Sequence, residues 1–272
     1  MRKILFILSL FVLSAQSAVA ASRIEIEALF DLLSMDAMFE VMREEGLVYS
    51  DDLADDMLPG GTGPGWQNIA RRIHDPAKMR TIVQAEFEAS FGDADAAPLL
   101  DFFASETGQK IVALEVQTRR AFLDEAVSDK ALELFHERQE PYDPHLQAIA
   151  DYVEANELIE YNVTGALNSN FMFYRGLVEG GAFAMSEQDI LREVWTGEDD
   201  TRVETRDWLF SFLMVAYEPL NVEAIASYVD LSKTTEGQAL NRALFAGFDE
   251  MYKAISLSLG MALARQMQGE TL

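Results

Sequence analysis

Apolar residues recur at steps of three and four along nearly the whole chain. Leu240, Leu244, Phe248, Met251, Ile255 and Leu259 mark one face of a long helix. Leu99, Phe102 and Phe103 form a shorter stripe of the same kind. Ile149, Tyr152, Val153 and Asn156 form another, with Asn156 its polar member. No convincing run alternates residue by residue with the Val, Ile and Thr content of a strand, so the pattern predicts an all-helical fold. The punctuation agrees. Asp93 or Asp95 can cap a helix that holds Pro98 in its first turn, where the missing N–H costs nothing. Ser105 and Thr234 are each suited to cap a helix that begins one residue later. Gly108 and Gly237 then occupy the third helical position, where glycine weakens a helix. Close approach of the preceding helix at a sharp corner is the expected reason, with Gln109 and Gln238 placed to hydrogen-bond across it. Loops are expected at residues 59–65, 140–144 and 196–200. The last helix is apolar on more than one face and is expected in a shared core.

The pattern also repeats. Ser105-Glu-Thr-Gly-Gln109 returns as Thr234-Thr-Glu-Gly-Gln238, an offset of 129 that also relates Asp101 to Asp230 and Trp66 to Trp195. Nearer the N-terminus the offset is 120, relating Asp31 to Asp151, Glu40 to Glu160 and Gly60-Gly61 to Gly180-Gly181. One insertion of nine residues, within 182–194, reconciles the two offsets. The reading is an internal duplication: a first helical repeat over 21–140 and a second over 141–272, packed about a pseudo-twofold axis into one multi-helix bundle. The inserted segment carries Phe183, Met185, Ile190, Leu191 and Trp195 among polar residues, a spacing that predicts a short amphipathic helix after Ser186.

Residues 1–20 are set apart from this pattern. Arg2 and Lys3 precede an apolar run from Ile4 to Leu13, and Ala18-Val19-Ala20 supplies a small-residue cleavage site. This predicts a cleavable secretory signal and a periplasmic address. No cysteine is present, so neither thiol chemistry nor a disulfide framework is available, and stability rests on the core. The formal charge is −25, and removal of Arg2 and Lys3 makes it about −27. A surface this negative repels nucleic acid and anionic lipid and suits cations, basic partners or simple solubility. No later segment is apolar enough to span a membrane.

At Phe102-Phe103-Ala-Ser105-Glu-Thr-Gly108-Gln109-Lys110 the chain resembles the periplasmic family 2059 of the domains of unknown function. The core of that family reads Phe-Tyr-x-Ser-Pro-x-Gly-(Gln/Lys)-Lys. The likeness covers roughly residues 80–130 and returns weakly in the second half. Phe103 replaces the family's Tyr, and Glu106 its frequent Pro. The resemblance implies an all-helical exported protein and no particular activity.

Candidate chemistry is sparse. The histidines are His74, His136 and His145, and His136-Glu-Arg-Gln-Glu140 lacks the spacing of a zinc helix. No nucleophile elbow is present, and the Gly60–Gly65 stretch lacks the Lys-Ser/Thr ending of a phosphate loop. Asp51, Asp52, Asp55 and Asp56 lack the spacing of a calcium loop. Met35, Met38 and Met42 share a helix face. They read either as core filler or as thioether ligands for Cu(I). Trp66, Trp195, Phe183 and Met185 read as loop anchors or as the frame of a ligand or partner site, and the aromatic stretch Phe171–Tyr174 as core or as a patch.

These observations lead to an exported helical protein that works by binding an envelope protein or a small apolar ligand, with no cofactor. The alternatives are an enzyme with a carboxylate/His site assembled between the halves, and Cu(I) binding at the Met stripe. The insertion is expected to cover one mouth of the groove between the halves.

Overall fold

The structure, a computed structural model, describes residues 21–58, 60–138 and 143–269. The residues of the expected signal and part of the 140–144 break lie outside the described residues. Thirteen α-helices and no strands make up the described chain. They are α1 (Arg23–Leu32), α2 (Met35–Met57), α3 (Pro64–Ile73), α4 (Pro76–Phe91), α5 (Ala97–Ala104), α6 (Glu106–Ala121) and α7 (Glu125–Glu137). After these come α8 (Pro144–Ala155), α9 (Leu158–Glu179), α10 (Glu187–Thr196), α11 (Glu198–Tyr217), α12 (Val222–Ser232) and α13 (Thr235–Met267).

Short polar residues start most of these helices by accepting from the first-turn N–H groups. Ser22 and Ser186 build reciprocal capping boxes with Glu25 and Asp189. Asp75, Asp124, Asp143 and Asn221 cap α4, α7, α8 and α12. Asp95 accepts from Ala97 N at 2.9 Å just ahead of Pro98. The expected loops are shorter than predicted at their ends: Pro64 and Gly65 open α3, and Pro144 opens α8. Residues 198–200 open α11 rather than forming a turn, because Glu198, Asp199 and Asp200 complement the positive end of that helix.

The predicted corners are present twice. Ser105 Oγ accepts from Gly108 N at 3.1 Å, and Thr234 Oγ1 from Gly237 N at 3.0 Å. A Cβ on Gly108 would overlap Phe102 O, and one on Gly237 would overlap Leu231 O. Gln109 Nε2 donates to Phe103 O and Leu32 O, tying the α5–α6 corner to the end of α1. Gln238 Nε2 donates to Ser232 O and Ala155 O, tying the α12–α13 corner to the end of α8. The links α1–α2 and α8–α9 each turn through one left-handed residue, Ser34 (φ 53°) and Glu157 (φ 50°).

Two apolar cores result. The first joins α1 to α5 with α13, through residues such as Phe30, Phe39, Phe87, Leu99, Met251 and Leu263. The second joins α8, α11 and α12 with Ile111 of α6 and Phe135 of α7. The main contacts of α13 are with α9 and α4, and α11 packs on α6 and α7. Phe102 of α5 stacks on Tyr228 of α12 at 5.6 Å, and both rings touch both cores. The α9–α13 crossing is close because glycine faces backbone: a Cβ on Gly176 would overlap Leu257 O, and one on Gly260 would overlap Phe173 O. Phe173 and Tyr174, from the aromatic stretch, pack against the first core. No helix among the described residues is long and apolar enough to cross a membrane.

Candidate functional site

The residues singled out from sequence do not converge. Trp66 sits near the start of α3, is 3% exposed, and donates from Nε1 to Ser50 O at 2.8 Å. It locks α3 onto α2 as a loop anchor would. Trp195 sits near the end of α10 and is 62% exposed. The two tryptophans matched at one sequence offset therefore occupy different positions on their helices and differ in burial. Met35 and Met42 are buried in the first core and Met38 packs against it. Arg119 approaches the Met38 sulfur at 3.7 Å. The Met stripe is core filler here, with Leu32, Leu33 and Phe39 in the same cluster.

The segment after Ser186 forms the short helix predicted for it, Glu187–Thr196. Ile190 and Val194 of α10 are buried, and α10 packs against α9. The neighbouring face carries Leu191, 46% exposed, and Trp195 one turn later. Phe183 of the preceding loop is 45% exposed and Met185 is half-buried. Acidic residues outnumber basic ones along this stretch: Glu187 and Asp189 start α10 and Glu198 to Asp200 start α11, with Arg192 pairing with Asp189 and Arg202 with Glu198.

Buried polar groups lie elsewhere. His74 is buried with its ring flat against Gly46, where a Cβ would overlap it. Ser50 Oγ donates to Gly46 O at 2.6 Å and so accepts from His74 Nε2 at 3.1 Å. Burial holds this imidazole neutral, its pKa lowered to about 4. The Ser–His pair resembles a catalytic dyad in composition alone, since Ser50 is fully buried and spends its proton on a helix carbonyl. In the second core Tyr217 Oη donates to Glu115 Oε1 at 2.5 Å. Tyr152 packs edge-on to Tyr217 at 5.9 Å and stacks on Tyr228 at 4.6 Å. Enclosure among these rings raises the Glu115 pKa to about 7, against the opposing pull of the Tyr217 hydrogen bond. Arg119 grips Glu45 through two 2.8 Å bonds and reaches Tyr252, joining α6 to α2 and α13.

His136 pairs with Asp207 at 3.0 Å and His145 donates to Tyr217 O at 3.0 Å, so the two histidines of the inter-half region serve different partners. Asp55 accepts from Thr62 N at 2.7 Å, giving the aspartate cluster a role in holding the loop before α3. Among the described residues no three His, Asp or Glu side chains gather with metal-site geometry. Two concave surfaces among the described residues lie apart from these groups. One, of about 780 Å³, lies between α7, the start of α8 and α11, and the Arg138–Asp143 ion pair lies in its wall. The other, of about 350 Å³, lies between α3, α4 and α13.

Residues 77–137 match the model of DUF2059, a family described as an uncharacterized protein conserved in bacteria. The motif Phe102–Lys110 falls inside the match, as the resemblance required. No curated protein and no solved structure shows significant similarity to the chain.

Proposed function

We propose that this protein is an exported, duplicated helical scaffold whose α10 surface docks an envelope protein. The observation that carries the reading is the exposed Leu191–Trp195 pair, one turn apart on a helix whose Ile190 and Val194 are anchored in the fold, with Phe183 exposed in the loop before it. An aromatic, apolar centre with a charged rim is the composition of a binding hot spot. The acidic excess along this stretch and the overall charge of −25 suit a partner with an apolar centre and a basic surround.

The duplication gives this surface its logic. We infer two halves, 21–140 and 141–272, following a signal at 1–20 and related by a pseudo-twofold axis. Two observations support it: the paired corners, and an exchanged packing in which α13 lies on α4 while α6 lies on α11. By helix order α10 stands in the second half where α3 stands in the first, and its exposed face is free to differ between the two.

Photo-crosslinking in producing cells tests the docking role. A crosslinker at position 195 should yield a discrete protein adduct that is lost with Leu191→Ser and Phe183→Ser. A crosslinker at the exposed Glu204 of α11 should give none. Absence of an adduct at 195, or the same adducts from both positions, would overturn the reading.

A further inference from the structure

The cleft between α3, α4 and α13 has a composition unlike the rest of the surface. Its walls are Ile69 and Ile73 of α3, Met79 and Ile82 of α4, and Met251 and Ile255 of α13. Its volume of about 350 Å³ lies at the lower end of the range for small-molecule pockets, about 300–1,000 Å³. Arg72 and Lys78 stand at its rim with Ser258 opposite, and Arg71 is adjacent in α3. The chain carries 46 acidic and only 21 basic residues, so a local cluster of three cations is notable by contrast.

These cations are not neutralised by carboxylates among the described residues. Arg71 bonds the Asn68 amide, and Lys78 Nζ donates to Arg72 O at 3.0 Å. The acids one turn back on α13, Asp249 and Glu250, are engaged by Lys253. The Arg72 guanidinium and the remaining Lys78 protons thus face solvent at the mouth of an apolar slot. Inside a low-dielectric wall such charges attract an anion more strongly than they would on an open surface.

We propose that this cleft binds a monomeric linear amphiphilic anion, such as a free fatty carboxylate. The chain would lie against Ile73, Ile82 and Ala254, the half-exposed apolar side chains of the cleft, whose floor is the first core, and the head group against Arg72 and Lys78. The site shares no residue with the α10 surface and stands independently of it.

Calorimetry on the full mature chain with decanoate, kept below its micelle concentration, tests the proposal. Decanoate should bind saturably at one site, and decyltrimethylammonium, with the same chain and opposite charge, should not. The double variant Arg72→Gln, Lys78→Gln should weaken decanoate binding at least tenfold while the chain keeps its helical circular dichroism, since both side chains are exposed. Ala254→Trp, which fills the slot from α13, should abolish binding. Equal binding of the cationic amphiphile, or decanoate binding that survives both variants, would overturn the proposal. So would co-sedimentation with phosphatidylglycerol vesicles that depends on Arg72 and Lys78 without any binding of monomeric decanoate.

Discussion

Gly108 and Gly237 show how a single missing side chain sets a corner. Each lies one turn after a capping hydroxyl, and each backs onto a main-chain carbonyl that cannot move aside. Gly108→Ala and Gly237→Ala should each destabilise by about 1–3 kcal/mol, read from urea melts. Parent-like melts for both would refute the packing account. Glu115 and His74 act through protons. Glu115 keeps its proton to about pH 7 in the fold, against 4.5 ordinarily. The unfolded chain therefore releases it first, and this group's contribution falls as pH rises from 4.5 through 7. His74 is shifted the other way, from 6.5 to about 4. The unfolded chain takes up that proton first on acidification, so its contribution is lost as pH falls from 6.5 to 4. The Glu115→Gln variant should lose the alkaline-side decline and be more stable than the parent at pH 8. Urea melts from pH 4 to 8.5 check this, and an unchanged pH slope would contradict it.

Among elements, α10 was the most legible from sequence: Ser186 and Asp189 form its cap, and Ile190 and Val194 repeat at helical spacing. Its start after Ser186 followed from local chemistry alone, and its end at Thr196 did not. Ser186→Ala should cost about 1 kcal/mol in the local stability of this helix, visible as faster amide exchange in α10 alone. Leu191→Ser with Trp195→Ser should leave the global melt within about 0.5 kcal/mol, because exposed side chains contribute little to folding. A large loss would mean the face is structural rather than available for docking. The cleft between α3, α4 and α13 was not legible. Its walls come from residues 69 to 82 and 251 to 255, and no local spacing announces that such distant helices meet. The same limit hid the Glu115–Tyr217 pair, which joins α6 to α11. The buried His74 had a signal in Gly46, but only once the ring was seen lying on it. The close α9–α13 crossing had one too: Gly176 and Gly180 are four residues apart, as are Gly260 and Ala264.

At the scale of the molecule, the all-helical class was readable because one period dominates the chain. What the period does not carry is which helix completes which core. The first core takes in α13, the second takes in residues of α6 and α7, and Phe102 with Tyr228 stitches the two together. Cores that share elements in this way should melt as one unit. Calorimetry should record a single transition whose van't Hoff and calorimetric enthalpies agree. Two resolved transitions would show that the cores are independent.

The placement of α13 also sets a timetable. This helix has 33 residues, roughly 50 Å of rod, and it is made after the other described helices. After α5 is complete, residues 105–234 must still be added before α13 begins. At translation speeds of about 5–20 residues per second, that leaves the early helices waiting on the order of ten seconds. Through that interval Phe30, Phe39 and Phe87 have no closing wall, so the nascent chain stays open and unfinished. Its N-terminal part is young in fold although old in synthesis, and a stop anywhere before residue 235 yields an unclosed first core rather than a smaller working protein.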